Sequence, residues 1–224
     1  MYCVEATICS SQNAAWEYIT NNAGVAKGLS KSVSITQSDY TADCQAMKDD
    51  GVDTLFTSVD GSATSRIARS CAALNYFPVL AAPGVAVNPQ AAKDPLIQKL
   101  TLFQGVANAP FPTTDTKALK EFHAGVDRFA PGAALDQSYL QGWLSGELFE
   151  AALENVAGEA RQGPVTTAMV LKGLGLIKNE TLDGTAAPLT FTPGKPAPVV
   201  ECYYTLRIDT SGTTAPGGSA KHCF

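Results

Sequence analysis

Few residues in this 224-residue sequence could carry out catalysis. It contains two histidines, His123 in a helix-like segment and His222 near the C-terminus. A serine or cysteine nucleophile needs such a base within hydrogen-bond reach, but a helical histidine beside Phe122 is more often a packed or solvated side chain. The motifs GxSxG, GxGxxG and GxxxxGK[S/T] do not occur, so hydrolase, dinucleotide-binding and P-loop interpretations have no support. The sequence therefore predicts no enzyme and no cofactor.

The cysteines are the next candidates for chemistry. None of them forms a CxxC pair, and with two histidines a zinc site is poorly supported. An even number favours disulfides in an oxidising compartment, whereas unpaired buried cysteines are the alternative, and the count alone does not reveal the pairing. We therefore expect an extracellular or periplasmic protein. The cysteines are Cys3, Cys9, Cys44, Cys71, Cys202 and Cys223.

Charge and hydropathy exclude two classes of partner. The net charge is -5 and the 16 basic residues are scattered, so the sequence does not predict a nucleic-acid partner. The longest apolar stretches fall short of the ~20 residues that span a bilayer. Met1 is followed at once by Tyr2-Cys3-Val4-Glu5, without a basic or apolar leader. We expect either a processed product or a piece of a longer chain.

The first hundred residues alternate between strand-like and helix-like segments. Such alternation is typical of βαβ units, which build a parallel sheet with right-handed crossovers, and it predicts a doubly wound α/β fold. The predicted strands cover residues 1–5, 31–36, 52–59, 77–82 and 101–106. The predicted helices cover residues 12–22, 40–50 (with Asp39 as the N-cap), 62–74 and 95–100.

Polar, glycine-bearing turns follow three of these strands. They are Ala6-Thr7 after Glu5, Asp60-Gly61-Ser62 after Val59, and Pro83-Gly84 after Ala82. Ligands of open α/β sheets bind outside the carboxyl ends of the strands, where helix N-termini also point. Asp60 could accept hydrogen bonds from an ammonium or hydroxyl group, Gly61 permits close approach, and Ser62 could cap the helix or touch a ligand. The pattern alone favours the alternative, an ordinary βα turn with an N-cap.

The second half of the chain has a different pattern. The segment NAPFPTTDT, which begins at Asn108, suits a crossing between lobes. Helices are predicted over residues 117–129, 137–156 and 166–174, the last one closed by Gly173 and Gly175. Residues 188–209 predict two strands joined by a proline-rich turn, and residues 210–223 predict a loose tail.

Residues 38–78 resemble the second lobe of type I solute-binding proteins of ABC transporters, particularly the branched-chain amino acid (Leu/Ile/Val) receptors. The resemblance extends more weakly through residues 115–153 and 188–212. The matching features, in order, are Asp39-Tyr40-Thr41, Gly51-Val52-Asp53, an apolar strand into Asp60-Gly61, the R-x-A-R-x-C helix from Arg66 to Cys71, and Phe77-Pro78.

This resemblance implies a flavodoxin-like sheet and a non-catalytic component of an ABC uptake system. Such proteins bind a small molecule, here an amino acid or a related metabolite, in a cleft between lobes and deliver it to a permease. Membrane contact would come only through that permease or through a lipid anchor absent from this chain. The implied ligand contacts are Glu5, Thr7, Asp60, Gly61, Ser62, Pro83 and Gly84 from the second lobe, and Asp136, Gln137 and Tyr139 from the first, with the hinge at residues 104–110.

The chain also departs from the family. The turn at residues 82–85 lacks the acidic residue that often holds the ligand's ammonium group, so either Asp60 or Glu5 substitutes or the ligand is not an amino acid. The resemblance divides the chain into residues 1–107 (second lobe), 108–195 (returning helices and strand of an incomplete first lobe) and 196–224 (closing strand and disulfide-tied tail). The incomplete lobe leaves open a homo-oligomer or a structural remnant that binds nothing. A ligand-sensing module of the same fold and an extracellular hydrolase with an unrecognised site also stay open.

The implied strand order also suggests a pairing for the cysteines. Helices that follow the second and third strands lie side by side, which predicts a Cys44–Cys71 bond. Cys3 and Cys9 flank one strand-to-helix loop, and Cys202 and Cys223 bracket the tail. We therefore predict three bonds, 3–9, 44–71 and 202–223.

Overall fold

The computed structural model describes residues 1–7, 9, 11, 16–17, 20–21, 24–197, 200 and 202–223, apart from the side chain of Val85. The chain forms two compact units. Unit 1 comprises Met1–Gly105 and Leu206–Thr214, and unit 2 comprises Val106–Thr205 and Ala215–Phe224. The chain thus passes from one unit to the other three times.

A parallel sheet forms the centre of unit 1. Its strands are β1 (Tyr2–Cys3), β2 (Ser32–Val33), β3 (Thr54–Phe56), β4 (Val79–Pro83) and β5 (Leu102–Val106). β1 pairs in parallel with β2, a parallel bridge joins Tyr2 to Ser58 beyond β3, and β3, β4 and β5 pair in parallel. The order β2-β1-β3-β4-β5 confirms the predicted flavodoxin-like α/β sheet. It continues through β6 (Cys202–Asp209) to β7 (Gly212–Thr214), which is antiparallel to β6.

The helices of unit 1 whose bounds lie within the described residues are α1 (Thr41–Asp49), α2 (Gly61–Ala73), α3 (Pro89–Ala92) and α4 (Pro95–Leu100). α2 contacts each of the other three. In neighbouring strands Leu55, Leu80 and Leu102 are in register and at most 2% exposed. Burying each leucine stabilises the fold by about 2–3 kcal/mol, so this row forms the centre of the core. On the opposite face the ring of Trp16 stacks on Phe56 at 5.2 Å.

Two details of unit 1 differ from the sequence prediction. The predicted strand over residues 31–36 is reduced to β2, because the hydroxyl of Tyr40 and the guanidinium of Arg66 bind the carbonyls of Ser34 and Ile35. Asp39 is not the N-cap of α1, since Tyr40 has that position while Asp39 accepts from the amide of Thr41 at 2.6 Å. The predicted helix over residues 12–22 falls largely outside the described residues.

Three disulfides pair all six cysteines as predicted. Cys44–Cys71 joins α1 to α2, with 5.0 Å between the Cα atoms. The other two are Cys3–Cys9, which closes the loop after β1, and Cys202–Cys223.

Unit 2 is mainly helical. Its helices are α5 (Lys117–Phe129), α6 (Gln137–Glu154), α7 (Ala157–Ala160) and α8 (Thr167–Leu176), and a short strand β8 (His222–Cys223) pairs with the start of β6. α5 buries Leu119 and Phe122, and the ring of Trp143 on α6 meets Phe122 edge-on at 6.0 Å. α6 packs closely on α8.

The structure corrects three predictions in this half of the chain. The helix predicted over residues 166–174, closed by Gly173 and Gly175, continues as α8 to Leu176, because Gly173 is the point where α8 packs against Ala152 of α6. Of the two strands predicted in residues 188–209, the described residues form β6 alone, with a single bridge at Leu189. Proline lacks an amide donor, which explains why Pro193 and Pro196 lie outside any strand.

The predicted loose tail is ordered. It contains β7 and β8, and the carboxylate of Asp115 accepts from the amide of Ser219 at 2.9 Å and from its hydroxyl at 2.8 Å. A bias toward Gly, Ser and Thr carries no information about such a distant partner, so the sequence did not reveal this contact.

Candidate functional site

The turn after β3 begins α2. Asp60 is the N-cap, and its Oδ1 accepts from the amides of Ser62 at 2.7 Å and Ala63 at 2.9 Å. A cap of this type stabilises a helix by about 1 kcal/mol. Asp60 and Ser62 are nevertheless exposed at the carboxyl edge of the sheet, beside the positive end of the α2 dipole. The turn therefore caps the helix and presents polar groups to solvent.

Gly61 brings this turn against the segment after β4. A Cβ atom at Gly61 would lie 3.2 Å from the amide nitrogen of Asn88 and 3.3 Å from the carbonyl oxygen of Ala86, tighter than ordinary contact. The same segment is held by Gln104 of β5, whose Nε2 donates to the carbonyl of Gly84 at 3.1 Å. The turn at residues 60–62 thus lies against the segment after β4 at Gly61, and Gln104 holds the start of that segment at Gly84.

Gln104 is a residue that sequence reasoning missed. It is 4% exposed, on the inward-facing row of β5 between Leu102 and Val106. A polar side chain in a row of buried apolar positions was the available signal, because such a group must find a hydrogen-bond partner.

Glu5 occupies the turn after β1. Its Oε1 accepts from the hydroxyl of Ser34 at 2.5 Å and the amide of Ile35 at 2.8 Å, and its Oε2 accepts from the amide of Val4 at 3.1 Å. The hydrogen bond from Ser34 is the main cause that lowers the pKa of Glu5. Glu5 therefore ties the end of β1 to the end of β2, while Thr7 lies exposed on the same turn.

Arg66 and Tyr40 hold the loop after β2. Arg66 donates to the carbonyls of Ile35 and Gln37 at 2.5 and 3.0 Å, and the Tyr40 hydroxyl donates to the carbonyl of Ser34 at 2.7 Å. Burial raises the pKa of Tyr40. The first arginine of the R-x-A-R-x-C pattern thus positions a loop at the same edge of the sheet, a role that the pattern did not reveal.

In unit 2 the three candidate contacts at the start of α6 differ in their surroundings. Asp136 is the N-cap and accepts from the amides of Ser138 and Tyr139 at 2.9 and 3.2 Å. Tyr139 is 45% exposed, whereas Gln137 is 1% exposed and binds the backbone of residues 108–111. His123 binds the carbonyl oxygen of Phe111 through Nε2 at 2.9 Å.

A cavity of about 550 Å³ lies at the other edge of the unit 1 sheet. It is lined by Trp16, Phe56, residues 25–30 and the amino ends of β1 and β3. The size suits a small molecule. However, the turns with exposed polar groups and the start of α2 are at the carboxyl edge, which is where open α/β sheets bind ligands. We therefore place the candidate site at the carboxyl edge.

Neither a metal centre nor a membrane span is found among the described residues. They contain no group of three or more His, Cys, Asp or Glu side chains that could hold a metal ion. Within the same part of the chain, no helix is long and apolar enough to cross a bilayer.

Residues 7–213 match the family described as periplasmic binding protein. The chain belongs to this family. Periplasmic binding proteins are extracytoplasmic, non-enzymatic solute-binding proteins. No curated protein matches the sequence.

Solved periplasmic binding proteins of ABC transporters share the fold. A fatty acid ABC transporter substrate-binding protein from Thermomonospora curvata superposes with a TM-score of 0.76 at 18% identity, over 96% of this chain and 55% of that one. A branched-chain amino acid ABC transporter protein from Thermus thermophilus, with bound valine, gives 0.76 at 12% identity, over 99% and 59%. A solute-binding protein from R. palustris in complex with benzoate gives 0.70 at 12% identity, over 99% and 58%. The chain thus spans less than two thirds of the length of these neighbours.

Proposed function

We propose that the chain is part of an extracytoplasmic solute-binding component of an ABC uptake system and binds a small molecule, an amino acid or a related metabolite. The observation that carries the proposal is the convergence at the carboxyl edge of unit 1. Gly61 lets the turn after β3 lie against the segment after β4, and Gln104 of β5 holds that segment at Gly84. Asp60 and Ser62 are exposed beside the N-terminus of α2.

The proposed solute contacts of unit 1 are Thr7, Asp60, Gly61, Ser62, Pro83 and Gly84. Glu5 is less suited to direct contact, because both of its carboxylate oxygens accept hydrogen bonds from the protein. In unit 2 Asp136 and Tyr139 are the proposed contacts. The implied partners are the solute and a permease, with a lipid anchor in a longer form, in a periplasmic or extracellular location.

The solute class follows from the charges at this edge. The turn after β4 offers no acidic side chain, and the Oδ1 of Asp60 is used by the α2 cap. An ammonium group would therefore bind the remaining oxygen of Asp60, whereas a solute without an amine would use the Ser62 hydroxyl and backbone groups. The structural neighbours include proteins for fatty acids, benzoate and valine, which spans both possibilities.

Thermal shift and calorimetry with valine, benzoate and octanoate test the proposal on the full chain. A solute at a hundred times its Kd stabilises the folded state by about 2.7 kcal/mol. Asn is as good an N-cap as Asp, so Asp60→Asn keeps the cap and removes the charge. We expect this variant to weaken valine binding by about tenfold and to leave benzoate and octanoate unaffected. Asp94→Asn, the same change at the N-cap of α4, is the control. If none of these three solutes binds, the result counts against the proposed function.

A further inference from the structure

The segment Asn108 to Phe111, which follows β5 by one residue, is bound on several sides within unit 2. Gln137 supplies three of its hydrogen bonds. Its Oε1 accepts from the amide of Phe111 at 3.2 Å, and its Nε2 donates to the carbonyls of Ala109 at 3.2 Å and Asn108 at 3.5 Å. The two hydrogens of this amide are therefore both used by the backbone.

Other residues of unit 2 complete the attachment. The amide of Ala109 donates to the carbonyl of Thr185 at 2.7 Å, and Asn108 forms an antiparallel bridge with Ala186. His123 binds the carbonyl of Phe111 at 2.9 Å. The backbone from Asn108 onward is thus fixed to unit 2, and we call residues 108–111 the clamped segment.

Ala107 is the single residue between β5, which ends at Val106, and the clamped segment. It is exposed, whereas Val106 and Asn108 are buried. Changes of backbone angle at a hinge are absorbed by a few residues at the ends of elements. Ala107 fits that description better than the wider range 104–110 that the family resemblance implies.

We propose that Gln137 is a positioning residue for solute binding rather than a solute contact. It fixes the clamped segment to unit 2 and confines bending of this crossing to Ala107. The effect on binding rests on the proposed function, whereas the effect on the clamped segment does not.

Hydrogen exchange of the full chain without solute tests the clamp. Gln137→Leu removes all three bonds at nearly constant volume and leaves buried backbone groups unpaired. We expect protection of the amides of Ala109 and Phe111 to fall by about tenfold or more. Gln141→Leu is the matched control, the same substitution one turn further along α6, and should leave this protection unchanged. Unchanged protection in Gln137→Leu would overturn the proposal. If that variant does not fold, His123→Phe removes one bond and should give a smaller loss at the same amides.

Affinity measurements separate positioning from contact. Loss of a positioning residue should weaken the binding of valine, benzoate and octanoate by a similar factor, because such a residue acts on the protein and not on a group of the solute. A change in the ranking of the three solutes in Gln137→Leu would identify a direct contact and refute the inference. If the unaltered chain binds none of the three, the proposed function fails and the role of Gln137 in binding fails with it, while exchange still decides whether the clamp exists.

Discussion

Replacing Gly173 by alanine should destabilise unit 2, although alanine is the better helix former. Gly173 lies inside α8, where the new methyl group would point at the backbone of α6. It would lie 2.7 Å from the carbonyl carbon of Ala152 and still closer to its oxygen. The Nδ2 of Asn155 also donates to the carbonyl of Gly173 at 3.3 Å, so a shift of α8 disturbs this bond as well.

The sign of the effect depends on two opposing terms. Glycine to alanine within a helix gains about 1 kcal/mol in helix propensity. An extra methyl group in a well-packed contact costs about 1–3 kcal/mol, and this contact belongs at the upper end because backbone atoms cannot rotate away. We expect a net loss of about 2 kcal/mol. Gly142 in α6 has no atom within 4 Å of the position of a Cβ, so Gly142→Ala should gain about 1 kcal/mol.

Urea unfolding followed by circular dichroism measures both variants. The two alanines should change the free energy of unfolding in opposite directions and differ by about 3 kcal/mol, the sum of the two expected effects. If the Gly173→Ala protein is as stable as the Gly142→Ala protein, α6 and α8 do not pack as closely at Gly173 as in the structure.

Three further predictions concern other parts of the chain. Asn108 is 6% exposed and, among the described residues, its Nδ2 has no hydrogen-bond partner, so Asn108→Leu should leave the melting temperature unchanged or raise it. The hydrogen bond from the amide of Ser219 is the main cause that lowers the pKa of Asp115 from its ordinary value of 3.8. The stability that this contact contributes is therefore fully present above pH 3.8, and it is lost as the pH falls through the lower pKa that Asp115 has in the folded protein. The Ser219 amide resonance should report this in a pH titration, and Asp115→Asn should abolish the change. Replacing Cys44 and Cys71 by alanine should lower the free energy of unfolding by about 3–4 kcal/mol, and a loss under about 1 kcal/mol would contradict the chain-entropy argument.

Features that depend on local chemistry could be predicted from the sequence. α4 starts at Pro95 after the capping residue Asp94, and both of its ends were predicted correctly. The parallel sheet followed from strands and helices that alternate along the chain. The Cys44–Cys71 disulfide followed from the strand order that the family resemblance implied, because these cysteines then lie on adjacent helices.

Features that depend on a distant partner could not be predicted. The family resemblance implied Gln137 as a solute contact, and the sequence did not reveal that its amide binds backbone that lies 28 residues earlier in the chain. The side chain of Arg66 likewise carries no sign that its partners are carbonyls of the loop after β2. Gly173 was taken as a helix terminator since glycine often ends helices, whereas here it permits two helices to touch. In each case the residue type indicated that the position was special, but the sequence did not reveal the distant partner that the residue contacts.

The division of unit 1 into two stretches of chain has a consequence during biosynthesis. Ile208 is 1% exposed and belongs to the same core as Leu55 and Leu80, yet it is translated long after β5, once Val106–Thr205 has been made. A nascent chain that has emerged only as far as Gly105 lacks this part of the core and leaves the edge of β5 unpaired. Unpaired strand edges template association with other chains. The ribosome therefore has to synthesise most of unit 2 before unit 1 can close, and a chain that stalls between residues 106 and 205 exposes an open strand edge to the cell's chaperones and proteases.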